Sequence, residues 1–232
     1  MLSACGDAHP EHFPHPDTHA AGAGTVMLNC AKCTITTERE ASANSPSLRG
    51  FDVIDAAKAI VERSCPCTVS CADIVAFAAR DSISLTGSVL YQVPAGRRDG
   101  RVSNAMEASA NLPPFFFTVK QLTNRFAKKG LSMEEMVVLS SAHTVGHSFC
   151  SSFVDRVWDQ SVKPPKPKVD AGLSSSYADL LRVLCPWDTM PATLITTAMD
   201  PATPNMLDNN YYKLLPRGMG LFFSDNQLRV DP

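Results

Sequence analysis

Residues 132–150, SMEEMVVLSSAHTVGHSFC, are the stretch on which the fold turns. Ser132 followed three places on by Glu135 is the sequence form of a capping box, in which a hydroxyl and a carboxylate each satisfy a backbone N–H at a helix start. Met133, Met136, Val137 and Leu139 to Ser140 then supply an apolar helical face that leads to Ala142 and His143. The spacing predicts a histidine at the end of a core-facing helix. From spacing alone, such a residue is a buried imidazole satisfied by a backbone carbonyl.

Outward from this stretch, composition bounds the class. The chain has 232 residues, 44% of them hydrophobic, and a formal net charge of −2. That suffices for one sizeable core and gives no long-range attraction to nucleic acid. No apolar run reaches membrane-spanning length, and helical periods dominate, with one alternating piece near Val89 to Val93. The expected class is mainly α. Eight cysteines, at 5, 30, 33, 65, 67, 71, 150 and 185, suggest disulfides and an oxidising compartment. Met1 to Ala20 carries no Lys or Arg and no apolar segment, so no secretory signal is read there.

Residues 1–36 differ in kind. They lack a helical period and hold four of the six histidines, which predicts a poorly ordered lead. Cys30-x-x-Cys33 has half of a zinc-site spacing, so a small zinc-binding module is one alternative. Further on, Phe51, Ile54, Ala57, Ile60 and Val61 mark an amphipathic helix ending near Cys65-Pro66. Ser70 and Asp73 form the capping box of a second helix through Ala79, apolar all round and therefore expected in the core. Thr118 and Gln121 cap a third, stopped by Gly130, and Tyr177 to Leu184 reads as a short helix ending at Cys185-Pro186. Lys163 to Lys168, KPPKPK, reads as a solvated loop. Asp200 to Asp208, DPATPNMLD, brings two carboxylates, a threonine and backbone carbonyls into a tight loop, a set of hard oxygens of the kind calcium takes.

Two runs carry a family resemblance. Leu139 to Gly146, LSSAHTVG, with Cys150 downstream, resembles the proximal-histidine motif of the secreted plant haem peroxidases of class III. Residues 37–82, TEREASANSPSLRGFDVIDAAKAIVERSCPCTVSCADIVAFAARDS, are similar to the same family almost without a break. The resemblance implies an incomplete plant haem-peroxidase-like helical fold over residues 37–232, truncated at both ends. It implies an enzyme that uses hydrogen peroxide to oxidise small phenolic donors in one-electron steps. Its cofactors would be haem b, ligated by His143, and one calcium ion held by Thr144, Asp200, Thr203, the Met206 carbonyl and Asp208.

Asp225 in FFSDNQL would accept the other N–H of His143, and Pro113 would border the donor site. Arg97, the first arginine of VPAGRRDG, would reach back to Asp73 as a structural ion pair, and Cys150 would pair with Cys185. Family cysteines matching Cys65 and Cys71 pair near the two chain ends; Cys5 could serve the first, and nothing after Cys185 the second. The pairing of Cys5, Cys30, Cys33, Cys65, Cys67 and Cys71 stays open.

The family also places a histidine and an arginine on a distal helix, R-x-x-F-H-D-C-F, where they act as general base and charge stabiliser. No such string stands here. A gapless count puts His15 in the place of the base and Glu11 in that of the arginine, with Pro14 and Pro16 against a helix. Glu38 and Asn44 match outlying members of the distal network. On this basis turnover is expected far below that of an intact member, and a catalytically inactive haem- and calcium-binding remnant is the second reading. The resemblance further implies a secreted monomer with no membrane or nucleic-acid partner.

Overall fold

The computed structural model describes residues 36–87, 89–188 and 195–230. The N-terminal segment with His15, Glu11 and the first three cysteines lies outside the described residues. Those described form two compact units, 36–85 with 89–112, and 86–87 with 113–230. Both are mainly helical.

The first unit holds a short 3-10 turn, Glu38–Glu40, then α1 (Phe51–Ser64), α2 (Cys71–Leu85) and α3 (Ala105–Asn111). Helix α1 starts after Gly50, whose φ of 79° is a left-handed conformation that glycine adopts without strain. Phe51 and Ile54 lie on its packed face, with the buried Lys58 beside them donating to the Val69 carbonyl at 2.6 Å and pairing with Glu62. Ile60, expected on that face, points outward, because the buried stripe is phased on Ile54 and Lys58 instead.

The first turn of α2 is closed from a distance. The Cys71 and Ala72 N–H groups donate to the two Asp99 carboxylate oxygens at 3.0 and 2.8 Å. Only half of the expected Ser70/Asp73 box forms. Ser70 accepts from the Asp73 N–H at 3.1 Å, but the Asp73 carboxylate turns to the Gly96 N–H (2.8 Å), the Arg97 N–H (3.1 Å) and the Arg97 guanidinium (3.1 Å). Nor is α2 buried throughout: within its unit only Cys71 to Ile74 are, because packing against Phe51 and Ile54 engages the first turn alone.

Val89 to Val93 forms no strand. Val89, Leu90 and Tyr91 are exposed, and among the described residues no strand pairs with them. Cysteine pairing follows the expected pattern at one position and departs from it at the other: Cys71, buried, is disulfide-bonded, while Cys65 is free, as is Cys67 beside it on the exposed turn after α1.

The second unit runs α4 (Val119–Ala127), α5 (Met133–Ser140), β1 (His147–Phe149), α6 (Val154–Val157), β2 (Trp158–Asp159), β3 (Lys166–Pro167), α7 (Ser175–Leu184), β4 (Thr196–Ala198), α8 (Asn210–Leu214) and α9 (Phe223–Val230). Reciprocal capping boxes open α4 at Thr118/Gln121 and α5 at Ser132/Glu135. Strand β1 pairs antiparallel with β4, His147 opposite Ala198, and β2 with β3. The KPPKPK segment thus contributes a strand, though its side chains are largely exposed.

Phe153, Val157, Leu181, Tyr211 and Leu221 pack around the disulfide between Cys150 and Cys185, whose Cα atoms are 5.8 Å apart. Helix α5 is less core-facing than its composition suggests. Met136 alone is buried, and Val137, Val138 and Leu139 are exposed. An apolar run with few polar positions carries no phase, so the face that packs cannot be read from it.

Candidate functional site

After α5 the chain makes a turn that carries His143 between the helix and β1. The His143 N–H donates to the Ser140 carbonyl at 3.1 Å, and Gly146, at φ 111°, turns the chain into the strand. Helix α9 presents Asp225 from its first turn. Imidazole Nδ1 and Asp225 Oδ1 stand 3.0 Å apart. The Asp225 side chain is 6% exposed, against 44% for the His143 ring. Partial desolvation works against the imidazolium, yet the hydrogen bond and the charge of Asp225 outweigh it and raise the His143 pKa above its ordinary value.

Three aromatic side chains complete this cluster. The Phe222 ring meets the imidazole edge-on, centroids 5.3 Å apart. Tyr211, fully buried, donates its hydroxyl to Asp225 Oδ2 at 2.7 Å and accepts the Leu221 N–H at 3.2 Å. Burial first, then the neighbouring carboxylate, pushes the Tyr211 phenol well above its usual pKa. Tyr212 donates its hydroxyl to the Ser140 carbonyl at 3.1 Å, and burial lifts its pKa to about 12. With Nδ1 held by Asp225, Nε2 has no hydrogen-bond partner among the described residues. A half-exposed imidazole oriented through one nitrogen and open at the other has the arrangement of a metal-ligating histidine.

The acidic loop lies against the same turn. Thr144 donates its hydroxyl to the Asp208 carbonyl at 2.7 Å, and the Gly146 carbonyl accepts from the Met199 N–H at 2.9 Å. Asp200 is completely buried. Its Oδ1 accepts from Ala202 N–H (2.8 Å), Thr203 N–H (3.2 Å) and the Asn210 amide (3.2 Å), and its Oδ2 from the Thr203 hydroxyl (3.0 Å) and Asn210 (2.9 Å). Desolvation opposes ionisation, but these donors prevail and lower the Asp200 pKa. Asp208 Oδ1 accepts from the Asn210 N–H at 2.8 Å, and Met206 follows Thr203 in a hydrogen-bonded turn. Two carboxylates, two threonine hydroxyls and main-chain carbonyls brought together in this way fit a hard cation with oxygen ligands.

Pro113 is exposed at the head of an aromatic segment. Phe115 and Phe116 follow it and line a hollow of about 220 Å³ with Ser152, Asp155, Lys168 and Asp170. The Phe115 carbonyl accepts the Ser224 N–H at 3.0 Å, and its ring centroid lies 6.5 Å from that of Phe222. Asp73 and Arg97 meet in the other unit as described, far along the chain from these residues. Sequence reasoning missed Tyr211, Asn210 and Asp99. The one available signal was the need of a buried tyrosine for a hydroxyl partner, which names no partner by itself.

The profile of the family described as Peroxidase matches residues 15–232. Peroxidase 1 of Zea mays is 70% identical over 209 residues, which cover 90% of this chain and 57% of that protein. Peroxidase 5 of Vitis vinifera is 49% identical over 208 residues, 90% of this chain and 62% of the relative. Peroxidase 3 of Arabidopsis thaliana is 41% identical over 210 residues, with coverage of 90% and 62%. The chain thus spans between 57% and 62% of the length of these relatives.

Proposed function

We propose, because the chain belongs to the peroxidase family in its class III plant branch, that it is a haem peroxidase: hydrogen peroxide is the oxidant and small phenols are the one-electron donors. The observation that carries this reading is the His143–Asp225 pair at 3.0 Å with Nε2 open. Haem b bound there supplies the redox chemistry by which peroxide is reduced and donors are oxidised. His143 would hold its iron through Nε2. Asp225 holds the Nδ1 proton, fixes the tautomer and raises the basicity of the ring.

Donor phenols are assigned to the hollow beyond Pro113, where the Phe115 and Phe116 rings offer aromatic faces and edges. Calcium is assigned to Thr144, Asp200, Thr203, the Met206 carbonyl and Asp208, next to the ligand turn. The inactive-remnant reading is not favoured, since the relatives at 70% and 49% identity both bear peroxidase names. His15, the sequence candidate for the distal base, lies outside the described residues.

Two bonded cysteines in the proximal core, with Cys71 bonded in the other unit, suit an extracellular, oxidising location. Among the described residues no helix is long and apolar enough to cross a membrane. We assign the chain as a monomer, with no nucleic-acid partner.

The test is reconstitution of the full chain with haem b, followed by absorption spectroscopy. A histidine-ligated ferric spectrum is expected, lost in His143→Ala. Retention of the same spectrum and affinity in His143→Ala would overturn the assignment.

A further inference from the structure

We infer that Tyr211 is a positioning residue that restrains electron donation from Asp225 into His143, and so makes the imidazole a weaker ligand than an unrestrained carboxylate–histidine pair would. The inference rests on the assignment of His143 as the haem ligand and concerns how that ligand is tuned.

The direction of each hydrogen bond follows from donor counting. An ionised carboxylate only accepts, a backbone N–H only donates, and a phenol has one proton to give. The Tyr211 oxygen stands 2.7 Å from Asp225 Oδ2 and 3.2 Å from the Leu221 nitrogen. The Leu221 N–H must therefore donate to the phenol, and the phenol proton must go to Asp225. Donation into an oxygen that is itself a donor polarises its O–H and strengthens the second bond. The short distance is that of a charge-assisted O–H···O⁻ contact.

Asp225 consequently shares its charge between two donors, imidazole Nδ1–H on Oδ1 and the phenol on Oδ2. Electron density drawn to Oδ2 is withdrawn from Oδ1, which then pulls less on the imidazole proton. A carboxylate partner ordinarily makes a metal-bound histidine a stronger base; Tyr211 moderates that effect. The arrangement is rigid. Tyr211 is fully buried, its ring packs edge-on against Tyr212 with centroids 5.6 Å apart, and Leu221 beside it is fully buried. The alternative is that Tyr211 only fills the core and steadies Asp225, and the two ideas predict opposite signs.

The full chain loaded with haem b is compared as wild type, Tyr211→Phe and Asp225→Asn, by the ferrous iron–histidine stretching frequency in resonance Raman spectra and by the midpoint reduction potential. Asp225→Asn removes the charge, so the frequency falls and the potential rises. Tyr211→Phe frees Oδ2, so the frequency rises and the potential falls. No shift in Tyr211→Phe, or one in the same direction as Asp225→Asn, overturns the inference while leaving the functional reading intact. A wild type with no iron–histidine band overturns the functional reading and the inference with it. If Tyr211→Phe does not fold, 3-fluorotyrosine in place of Tyr211 keeps the hydroxyl as a stronger donor. The frequency then falls and the potential rises, and an unchanged pair of values again overturns the inference.

Discussion

The hydroxyl of Thr144 donates to the main-chain carbonyl of Asp208 at 2.7 Å, so the residue next to His143 is hydrogen-bonded to the acidic loop. A cation held by the loop would therefore be mechanically linked to the position of the histidine turn.

The first prediction concerns that loop. Asp200→Asn replaces a fully buried carboxylate, which accepts from five donor contacts, with a group that is half donor. Calcium affinity is expected to fall roughly tenfold or more, since affinity in oxygen sites follows ligand charge. Calorimetric titration of the desalted chain with calcium chloride measures this. Equal affinity in the variant would place the cation elsewhere.

A second prediction follows from Asp170, whose Oδ1 lies 2.9 Å from Nη2 of the buried Arg156. Desolvation raises its pKa, but Arg156 and the Gly172 N–H more than offset this, leaving it below the ordinary 3.8. A carboxyl depressed in the folded state binds fewer protons there than when unfolded. Its stabilisation is complete above about pH 4 and is lost as pH falls through the depressed value. Asp170→Asn is expected to lack this acid-dependent step and to be less stable at neutral pH by roughly 3 kcal/mol, because it strands the Arg156 charge. Urea unfolding across pH 2 to 7, in roughly unit steps, checks both parts; identical pH profiles would rule out the linkage.

Asp99 provides the third. Asp99→Ala leaves the Cys71 and Ala72 N–H groups without their acceptor and is expected to cost about 1 to 2 kcal/mol, the scale of a lost helix cap. Hydrogen exchange at those two amides should accelerate in step. Protection equal to wild type would show that another group closes α2.

The fourth concerns the disulfide of Cys150 and Cys185, 35 residues apart in sequence and both buried. Replacing both with alanine is expected to cost about 3 to 4 kcal/mol on the chain-entropy view of loop closure. Denaturant midpoints of the double variant and the parent decide it, and a loss under about 1 kcal/mol would contradict that view.

Local signals were legible where chemistry acts over three or four residues. The boxes at Ser132/Glu135 and Thr118/Gln121 form as spaced, because each pairs groups that helix geometry alone brings together. The Ser70/Asp73 box failed in part, since a remote partner competed: Arg97 and the Gly96 N–H claim the carboxylate, and Asp99, 28 residues from Cys71, takes over the cap. Burial was illegible for α2 and α5, where apolar residues on every side leave the packing face to tertiary partners. The His143 turn and the acidic loop could be located through their residue types. Tyr211 could not, because its role depends on α8 and α9 converging on one carboxylate.

Ser224, immediately before Asp225, hangs its N–H on the carbonyl of Phe115, and the Phe115 ring lies near that of Phe222, which in turn meets the His143 imidazole. The segment that would greet a donor molecule and the helix turn that grips the histidine are thus packed as one piece. Anyone grafting the Pro113 to Phe117 segment from a relative to change donor choice should expect to retune the histidine in the same stroke, unless the opening turn of α9 is transplanted with it.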